Sequence, residues 1–424
     1  MYNKTIKLGA FPIYVSKMLS TEGKALITEQ FENVLLHNIL PFWMTITPDK
    51  KNGGFYGQIG VNNAMNNDIP RTAVTCSRIL WTFSHAFLIY KNKDFLEIAN
   101  RAFDYLYTAF WDKENEGLYW SVDLHGNPVF DHKHFYAQAF GIYGFSEYFR
   151  ATQNSQSLSR AIQLFNIIEE HAFDPKNGGY IESKSREFQP IVDMRLSEKD
   201  MNCRKSMNTL LHIIEAYANL LLVWDNRVLK NQLCKLIGDF NQHVFNERIN
   251  HLQLFFDDDW SSLSDHISCG HDIESSWLIH EAAEIIGAQE LIDDATDISL
   301  RLANSVLASG INEDGSVIYE GTKGKITDPG KEWWPHAEAI IGFYNAYQLS
   351  GKNPYLDTIQ TVWNYLHEHF IDNKNGGWFK RLNSDGSLDL SRPKVGPWEC
   401  PYHESRMCFE MIKRLRKQEK ENGE

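Results

Sequence analysis

The sequence has no long hydrophobic run, no pairing pattern among its cysteines and no basic stretch. No segment contains eighteen uninterrupted apolar residues, which excludes an ordinary transmembrane helix. With 42 basic and 55 acidic residues the formal net charge is −13, and without a basic face binding to a phosphate backbone is not expected. The absence of a CxxC pair excludes a zinc cluster and a dense disulfide framework, and predicts reduced thiols. The six cysteines are Cys76, Cys203, Cys234, Cys269, Cys400 and Cys408.

The amino-terminal segment, residues 1–20, has little of what a targeting sequence requires. Its apolar stretch is short, is interrupted by Pro12 and ends at Lys17, and no small-residue cleavage site follows. We therefore expect a cytoplasmic protein that has no membrane partner.

What the sequence does have is aromatic and apolar residues, at 13% and 43% of the chain, which predict a packed globular protein. A chain of 424 residues ordinarily folds as two or three domains. A recurring loop signature favours a single repeat-built domain over residues 1–424 instead. In each copy an Asp or Asn is followed by polar residues and, in most copies, by Gly and an apolar residue, which is typical of a turn and a short strand. The six copies lie at 49–55, 112–118, 174–180, 246–250, 312–315 and 372–378.

Two helical segments fit between successive signatures, because apolar residues recur there at positions i, i+3, i+4 and i+7. The predicted pairs are 22–42 with 71–91, 95–110 with 134–152, 156–171 with 203–223, 227–245 with 271–287, 289–308 with 333–350, and 354–370 with 401–417. Six helical hairpins joined by short β-hairpin loops predict an all-α fold, the (α/α)6 barrel. An open α-solenoid is the alternative.

The second helix of each pair begins with residues that a structural core would not select. If these are the inner helices, their first turns meet at one mouth of the barrel and could form a site. Each residue also has an ordinary explanation: His271 and Glu274, at i and i+3, could be a surface pair or metal ligands, and the tryptophans could be core. The occurrence of such residues at equivalent points of separate repeats favours function. The set includes Arg78, Tyr136, Asn208, His212, His271, Glu274, Trp333, Trp334, Trp398 and His403.

A mouth lined by tryptophan, tyrosine and polar residues suits a sugar, whose apolar face stacks on an aromatic ring while its hydroxyl groups form hydrogen bonds. Glycoside hydrolysis would require two carboxylates across the scissile bond. Histidine pairs are instead suited to removing and returning a proton at carbon, which indicates isomerisation. The candidate acids are Asp200, Glu274, Glu320, Glu399 and Glu404.

Seven segments, in order along nearly the whole chain, resemble those of the cellobiose 2-epimerases, a branch of the N-acylglucosamine 2-epimerase superfamily. They are SRILWTF at 77–83, YAQAF at 136–140, EKDMN at 198–202, KSMNT at 205–209, GHDIE at 270–274, EWWP at 332–335 and GPWECPYH at 396–403. The resemblance implies reversible epimerisation at C2 of the reducing-end glucose of β-1,4-linked disaccharides such as cellobiose and lactose. It implies no metal and no other cofactor.

The resemblance also implies roles for individual residues in proton removal and return through a cis-enediolate. His271 and His403 would be the acid/base pair, with Glu274 raising the basicity of His271 and His212 assisting ring opening. Arg78 would stabilise the enediolate oxygens. The remaining residues would bind the substrate. Tyr136 and Asn208 would bind hydroxyl groups of the reacting sugar, and Asp200 and Glu320 would reach the non-reducing unit. The aromatic wall would consist of Trp333, Trp334 and Trp398.

The sequence departs from the family pattern at two points. Glu404 and Ser405 replace an Asn-Gly pair after the last histidine, which predicts an acid beside His403 and a raised pKa for it. Leu210 stands where relatives carry a further histidine. Three other functions stay open at this point: a monosaccharide epimerase or isomerase acting on mannose or N-acylglucosamine, a glycoside hydrolase of the same barrel class, and a sugar-binding protein without activity. A barrel that closes on itself predicts a monomer.

Overall fold

Helices of two kinds alternate along the chain in the computed structural model, which describes residues 20–421; residues 1–19, examined above for a targeting sequence, lie outside it. Six are buried along most of their length and form an inner ring: α3 (Ala73–Tyr90), α5 (Phe135–Thr152), α7 (Met207–Leu221), α9 (Cys269–Ile286), α11 (Trp333–Ser350) and α13 (Tyr402–Glu421). The outer helices are amphipathic: α1 (Thr21–Val34) continued by α2 (Leu40–Thr45), α4 (Lys93–Tyr105), α6 (Ser155–His171), α8 (Arg227–Asp239), α10 (Gln289–Ser309) and α12 (Asn353–His369).

The inner helices close into a ring. Each packs against the next along the chain, and α13 packs against both α11 and α3. This closure confirms the predicted (α/α)6 barrel over the open α-solenoid. One connected cluster of buried apolar side chains extends from Ile27 to Leu415. The expected single domain over residues 1–424 stays a prediction. In the described part of the chain no helix is long and apolar enough to cross a bilayer, and all six cysteines are free thiols.

Several helix boundaries differ from the prediction. Short strands precede most of the inner helices, and π-helical turns follow some of the outer ones. The helix predicted from residue 71 begins at Ala73, and the one predicted from 203 begins at Met207, since a strand precedes each and its last residue caps the helix. π-Helical turns join α1 to α2 and extend α4 and α8. They are Leu35–Ile39, Leu106–Phe110 and Phe240–Val244.

Sixteen short strands lie in the loops of the described chain. They are β1 (Gln58–Ile59), β2 (Met65–Asn66), β3 (Arg71–Thr72), β4 (Ser121–Val122), β5 (Pro128–Phe130), β6 (Lys133–His134), β7 (Ser183–Lys184), β8 (Lys205–Ser206), β9 (Phe245–Asn246), β10 (His251–Leu252), β11 (Phe255–Phe256), β12 (Ile267–Ser268), β13 (Glu320–Thr322), β14 (Lys325–Asp328), β15 (Lys331–Glu332) and β16 (Arg381–Leu382).

These strands join neighbouring repeats at the end of the barrel where the inner helices begin. Five inner helices follow directly on a strand, and that strand pairs antiparallel with one from the next repeat: β3 with β4, β6 with β7, β8 with β11, β12 with β13, and β15 with β16. An antiparallel bridge between Ile59 and Val395 joins the first repeat to the last. The strands therefore form a second closed ring, which fixes the first turns of the inner helices relative to one another.

The loop signature forms the same turn wherever it begins with Asp. In the second copy Asp112 accepts hydrogen bonds from the N–H groups of Glu114 and Asn115. The same carboxylate accepts a bond from the buried ammonium of Lys133, Nζ to Oδ2 3.0 Å, and from Arg186. Equivalent carboxylate and cation pairs occur in three other copies: Asp49 with Arg71, Asp174 with Lys205, and Asp372 with Lys394. The copies at 246–250 and 312–315 begin with Asn, whose neutral amide forms no ion pair.

Replacing Asp112 by Asn should lower the free energy of unfolding by about 3 to 5 kcal/mol, because Lys133 would be left buried without its counter-ion. The amide oxygen of Asn can still accept the turn's N–H bonds, so the loss of stability reports the charge pair alone. Urea denaturation measures the free energy of unfolding. Asp123→Asn is the matched control, since Asp123 caps an exposed turn through the same kind of bonds without a cation, and its change should stay within about 0.5 kcal/mol. Equal losses in the two variants would contradict the prediction.

Candidate active site

A cavity of about 360 Å³ lies at the mouth, the end of the barrel where the inner helices begin. Its walls come from the first two turns of all six inner helices, from the loop at 196–200, and from residues 319, 320, 392 and 398 in two other connections. A second chamber of about 190 Å³ adjoins it and shares part of its lining. The candidate acids Glu399 and Glu404 do not line the first cavity, but the other candidates from the sequence do: Arg78, Tyr136, Asp200, Asn208, His212, His271, Glu274, Glu320, Trp333, Trp334, Trp398 and His403.

His403, in the first turn of α13, is held by a carboxylate that the sequence did not indicate. Its Nδ1 lies 2.7 Å from Oε1 of Glu338 on α11. The two oxygens of Glu338 also accept N–H bonds from Trp277 and Arg406, so this carboxylate acts as an acceptor towards the imidazole. Nδ1 of His403 therefore carries the proton, and Nε2 keeps its lone pair.

The expected effect of Glu404 on His403 is wrong. Burial, followed by the positive charges of Arg78 and Arg406, holds the pKa of His403 well below its ordinary value. The carboxylate of Glu404 is engaged elsewhere: it accepts a bond from Nε1 of Trp333 at 2.9 Å and pairs with Nζ of Lys380 at 2.7 Å. Glu404 thus fixes a tryptophan of the cavity wall and does not raise the pKa of the histidine.

The expected pairing of Glu274 with His271 is also wrong. Nδ1 of His271 lies 2.8 Å from Oγ of Ser268, the residue that caps α9. Glu274 points into the barrel and accepts a bond from Arg406 at 2.5 Å. Burial and the nearby His212 lower the pKa of His271 to about 3, so its imidazole is neutral at physiological pH.

His212 does form the i, i+3 pair that was expected of His271. Its Nδ1 lies 2.8 Å from Oε2 of Glu215, one turn further along α7. Burial opposes the ionisation of Glu215, but Arg406, His212 and Tyr402 outweigh it and lower the pKa of this carboxyl to about 2. The imidazole packs edge-on against the ring of Tyr136, with the centroids 5.1 Å apart.

The sequence did not indicate Arg406, whose buried guanidinium lies behind the histidines. Nη1 lies 2.6 Å from Glu215, and Nη2 lies 2.5 Å from Glu274 and 2.6 Å from Glu338. Burial and the charge of Glu338 raise the pKa of Glu274 to about 7. One signal was present: His212 and His271 are each followed three residues later by a glutamate, and His403 by this arginine.

The described residues contain one cluster with metal-ligand spacing, in which donor atoms of Glu274, Glu338 and His403 lie within 4.8 Å of one another. Arg406 already bonds both of these carboxylates. A metal ion would have to displace a buried guanidinium, so this donor set does not fit a resident metal.

Arg78, in α3, is a buried cation without a carboxylate partner in the described part of the chain. Its Nη2 donates to the hydroxyl of Tyr136 at 2.9 Å and its Nη1 lies 3.6 Å from Sγ of Cys400. The guanidinium carbon lies 4.1 Å from the ring centroid of Phe140 and 4.6 Å from that of Tyr402. Burial opposes the charge, but Tyr136, Cys400 and Tyr402 outweigh it and raise the pKa. The charged form therefore persists beside the cavity without a counter-ion.

Tryptophans and polar groups complete the cavity wall. The ring of Trp334 packs against both His271 and His403, with centroid distances of 4.8 Å and 5.4 Å. Oδ1 of Asn208 is buried and has no hydrogen-bond partner among the described residues. At the rim, burial raises the pKa of Asp200 and Glu320. The cavity thus combines an aromatic face with donors and acceptors, as a sugar requires.

Comparisons with known proteins agree on one family. The model of the N-acylglucosamine 2-epimerase (GlcNAc 2-epimerase) family matches residues 54–404. The cellobiose 2-epimerase of Bacteroides fragilis is 42% identical over 389 residues, covering 91% of this chain and 99% of that protein. That of Dictyoglomus turgidum is 39% identical, covering 92% and 99%. The solved structure of cellobiose 2-epimerase from Bacillus thermoamylovorans is similar with a TM-score of 0.88 and 38% identity, covering 92% of this chain and 100% of that one.

Proposed function

The chain belongs to the N-acylglucosamine 2-epimerase family, and we propose that it is an isomerase that interconverts the C2 epimers of the reducing-end sugar of β-1,4-linked disaccharides. Cellobiose would give glucosyl-mannose, and lactose would give epilactose. One observation carries the proposal: two neutral histidines, both packed against Trp334, line a cavity that is also lined by a buried arginine with no carboxylate partner among the described residues. Neutral imidazoles accept a proton from carbon, and the arginine stabilises the negative charge that results.

The reaction begins by opening the sugar ring, since the C2–H bond becomes acidic only beside a free aldehyde. Ring opening moves the proton of the O1 hydroxyl to the ring oxygen O5 and breaks the C1–O5 bond. We assign this relay to His212, whose Nδ1 is held by Glu215 so that Nε2 is left for the sugar. Tyr136 and Asn208, which line the same cavity, are assigned to the hydroxyl groups of the opened sugar.

Epimerisation then needs one proton to leave C2 and one to return on the opposite face. A neutral imidazole of the pair His271 and His403 accepts the proton: the C2–H bond breaks, an N–H bond forms, and the electron pair moves into a C1–C2 double bond and onto O1. Arg78 donates to the oxygens of the cis-enediolate so formed. Rotation about C2–C3 presents the other face, and the imidazolium N–H bond breaks as the proton returns to form the new C2–H bond. The electron pair on O1 then restores the C1 aldehyde in place of the C1–C2 double bond, and the ring closes again. The pair gains no net proton over a turnover.

The disaccharide is proposed to lie along the aromatic wall with its reacting unit between the two histidines. Trp334 and Trp398 would stack on the apolar faces of the sugar, and Trp333 is held by Glu404 as part of the same wall. Asp200 and Glu320 lie at the rim, where the non-reducing unit would form hydrogen bonds with them.

Incubating the enzyme with cellobiose in deuterium oxide tests this function. The imidazolium N–H exchanges with solvent, so deuterium should appear at C2 of both cellobiose and glucosyl-mannose, detected by NMR and mass spectrometry. Disaccharides that stay unlabelled and unepimerised would refute the proposal. Formation of fructose from free mannose, epimerisation of N-acetylglucosamine, or release of glucose from cellobiose would instead indicate the monosaccharide and hydrolase alternatives.

A further inference from the structure

Arg406 joins the environments of two candidate catalytic histidines that lie on different helices. Its guanidinium, 1% exposed, bonds Glu215 on α7 and Glu338 on α11. Glu215 in turn holds Nδ1 of His212, and Glu338 holds Nδ1 of His403. We propose that Arg406 is a positioning residue, which fixes the tautomers of His212 and His403 by holding the carboxylates that bond them. The inference rests on the proposed function.

The hydrogen bonds that Glu215 and Glu338 accept support this role. Glu338 accepts from Trp277, Arg406 and His403, and Glu215 accepts from Arg406, His212 and the hydroxyl of Tyr402. Burial raises the pKa of Glu338, while the bonds from Arg406 and Trp277 favour its ionised form. With these donors in place each carboxylate is the acceptor, and each imidazole presents N–H at Nδ1. Nε2 of both histidines is then free to exchange protons with a sugar in the cavity. Without Arg406 each carboxylate could rotate or take up a proton, and either tautomer could form.

The planar guanidinium suits this position because its two terminal nitrogens reach three inner helices at once. Nη1 serves Glu215 on α7, while Nη2 serves Glu274 on α9 and Glu338 on α11. A lysine would supply the charge but not the fork of donors. Arg406 also offsets part of the negative charge of three buried carboxylates, which otherwise would favour protonation of the histidines.

The effect on pH dependence follows from the groups around His403. These are Arg78 from α3, His212 from α7, Glu274 from α9, Glu338 from α11, Arg406 from its own helix and Lys380 from the loop after α12. Arg406 is one of the cations that lower the pKa of His403. Removing this cation raises that pKa, so the imidazole becomes protonated and inactive as a base at a higher pH.

The test compares Arg406→Gln, Arg406→Lys and the control Arg414→Gln. In Arg406→Gln, kcat should fall by about 100-fold or more with a small change in KM, and the acid limb of the kcat profile should move up by about one pH unit. Arg406→Lys should keep the acid limb near its wild-type position but lower kcat. Arg414 lies two turns further along α13 and bonds Glu410 and Asn345 away from the cavity, so its variant should retain wild-type kcat and pH profile.

Nitrogen-15 NMR of the histidines in the substrate-free protein gives a readout that does not depend on activity. The wild type should show Nδ1 protonated in both His212 and His403 and Nε2 of His403 unprotonated, and Arg406→Gln should show a mixture of tautomers, or imidazolium at His403. A folded Arg406→Gln with wild-type tautomers and pH profile would overturn the inference. Should that variant fail to fold, Arg406→Lys with wild-type kcat would overturn it equally. Failure of the proposed function is distinguishable, because the wild-type enzyme would then exchange no deuterium at C2.

Discussion

Replacing His403 by Asn should lower kcat for cellobiose epimerisation by about 10² to 10⁴-fold, the range typical of losing a general acid or base. The amide nitrogen of Asn can take the place of Nδ1 in its bond to Glu338, so the surrounding carboxylates keep their donors. No atom replaces the Nε2 lone pair, and the C2 proton has no acceptor. His271→Asn should behave in the same way, since the amide can keep the contact with Ser268. Initial rates with cellobiose and the rate of deuterium entry at C2 measure both variants.

The matched control for this prediction is His85→Asn. His85 lies on α3 and its Nδ1 bonds Glu147 at 2.7 Å, the same arrangement as that of His403 with Glu338, but it does not line the cavity. This variant should keep wild-type kcat per folded molecule. If His403→Asn lost no more activity than His85→Asn, the proton transfer assigned to His403 would be wrong.

The architecture could be predicted because its information is local. Each loop signature encodes a turn through an Asp or Asn and its neighbours, and each helix encodes its own apolar pattern, so six hairpins follow from short stretches of chain. The inner helices are buried on nearly every side, which only a closed ring or a second layer provides. Local patterns could not predict the exact residue at which each inner helix begins. Met207, for example, begins α7 because Lys205–Ser206 pairs with a strand fifty residues away.

Most residues of the cavity could be named because they occupy equivalent first or second turns of the inner helices, but their partners could not. From spacing alone, Glu274 should bond His271 one turn before it. In the structure Ser268 forms a hydrogen bond with that histidine instead, because the side chain that caps a helix reaches its first turn. Glu274 points into the barrel and pairs with Arg406. The hydrogen bond that holds the imidazole of His403 comes from Glu338, so it joins α11 to α13 across 65 residues of chain. Such contacts depend on how the helices pack, which no single helix encodes.

Replacing Arg78 by Met should produce the reverse of an ordinary core mutation, with lower activity and equal or higher stability. Loss of the charge that faces the enediolate should lower kcat by about 10² to 10³-fold. The guanidinium is buried among Phe140, Tyr402 and Cys400 without a carboxylate partner among the described residues, so its burial opposes folding. Methionine removes that cost, and the free energy of unfolding should stay constant or rise by about 0.5 to 2 kcal/mol. Steady-state kinetics and urea denaturation measure the two effects.

Arg71→Met is the control that separates these two effects, because Arg71 is equally buried but bonds the buried carboxylate of Asp49 at 2.5 Å. Its loss leaves that carboxylate without its cation and should lower the free energy of unfolding by about 3 to 5 kcal/mol. Arg71 does not line the cavity, so the folded fraction should keep wild-type kcat. Two buried arginines seven residues apart thus have opposite expected patterns, and only the one without a counter-ion is available to an anionic intermediate. If Arg78→Met were as unstable as Arg71→Met and kept its kcat, Arg78 would be a structural residue and the enediolate would need another stabilising group.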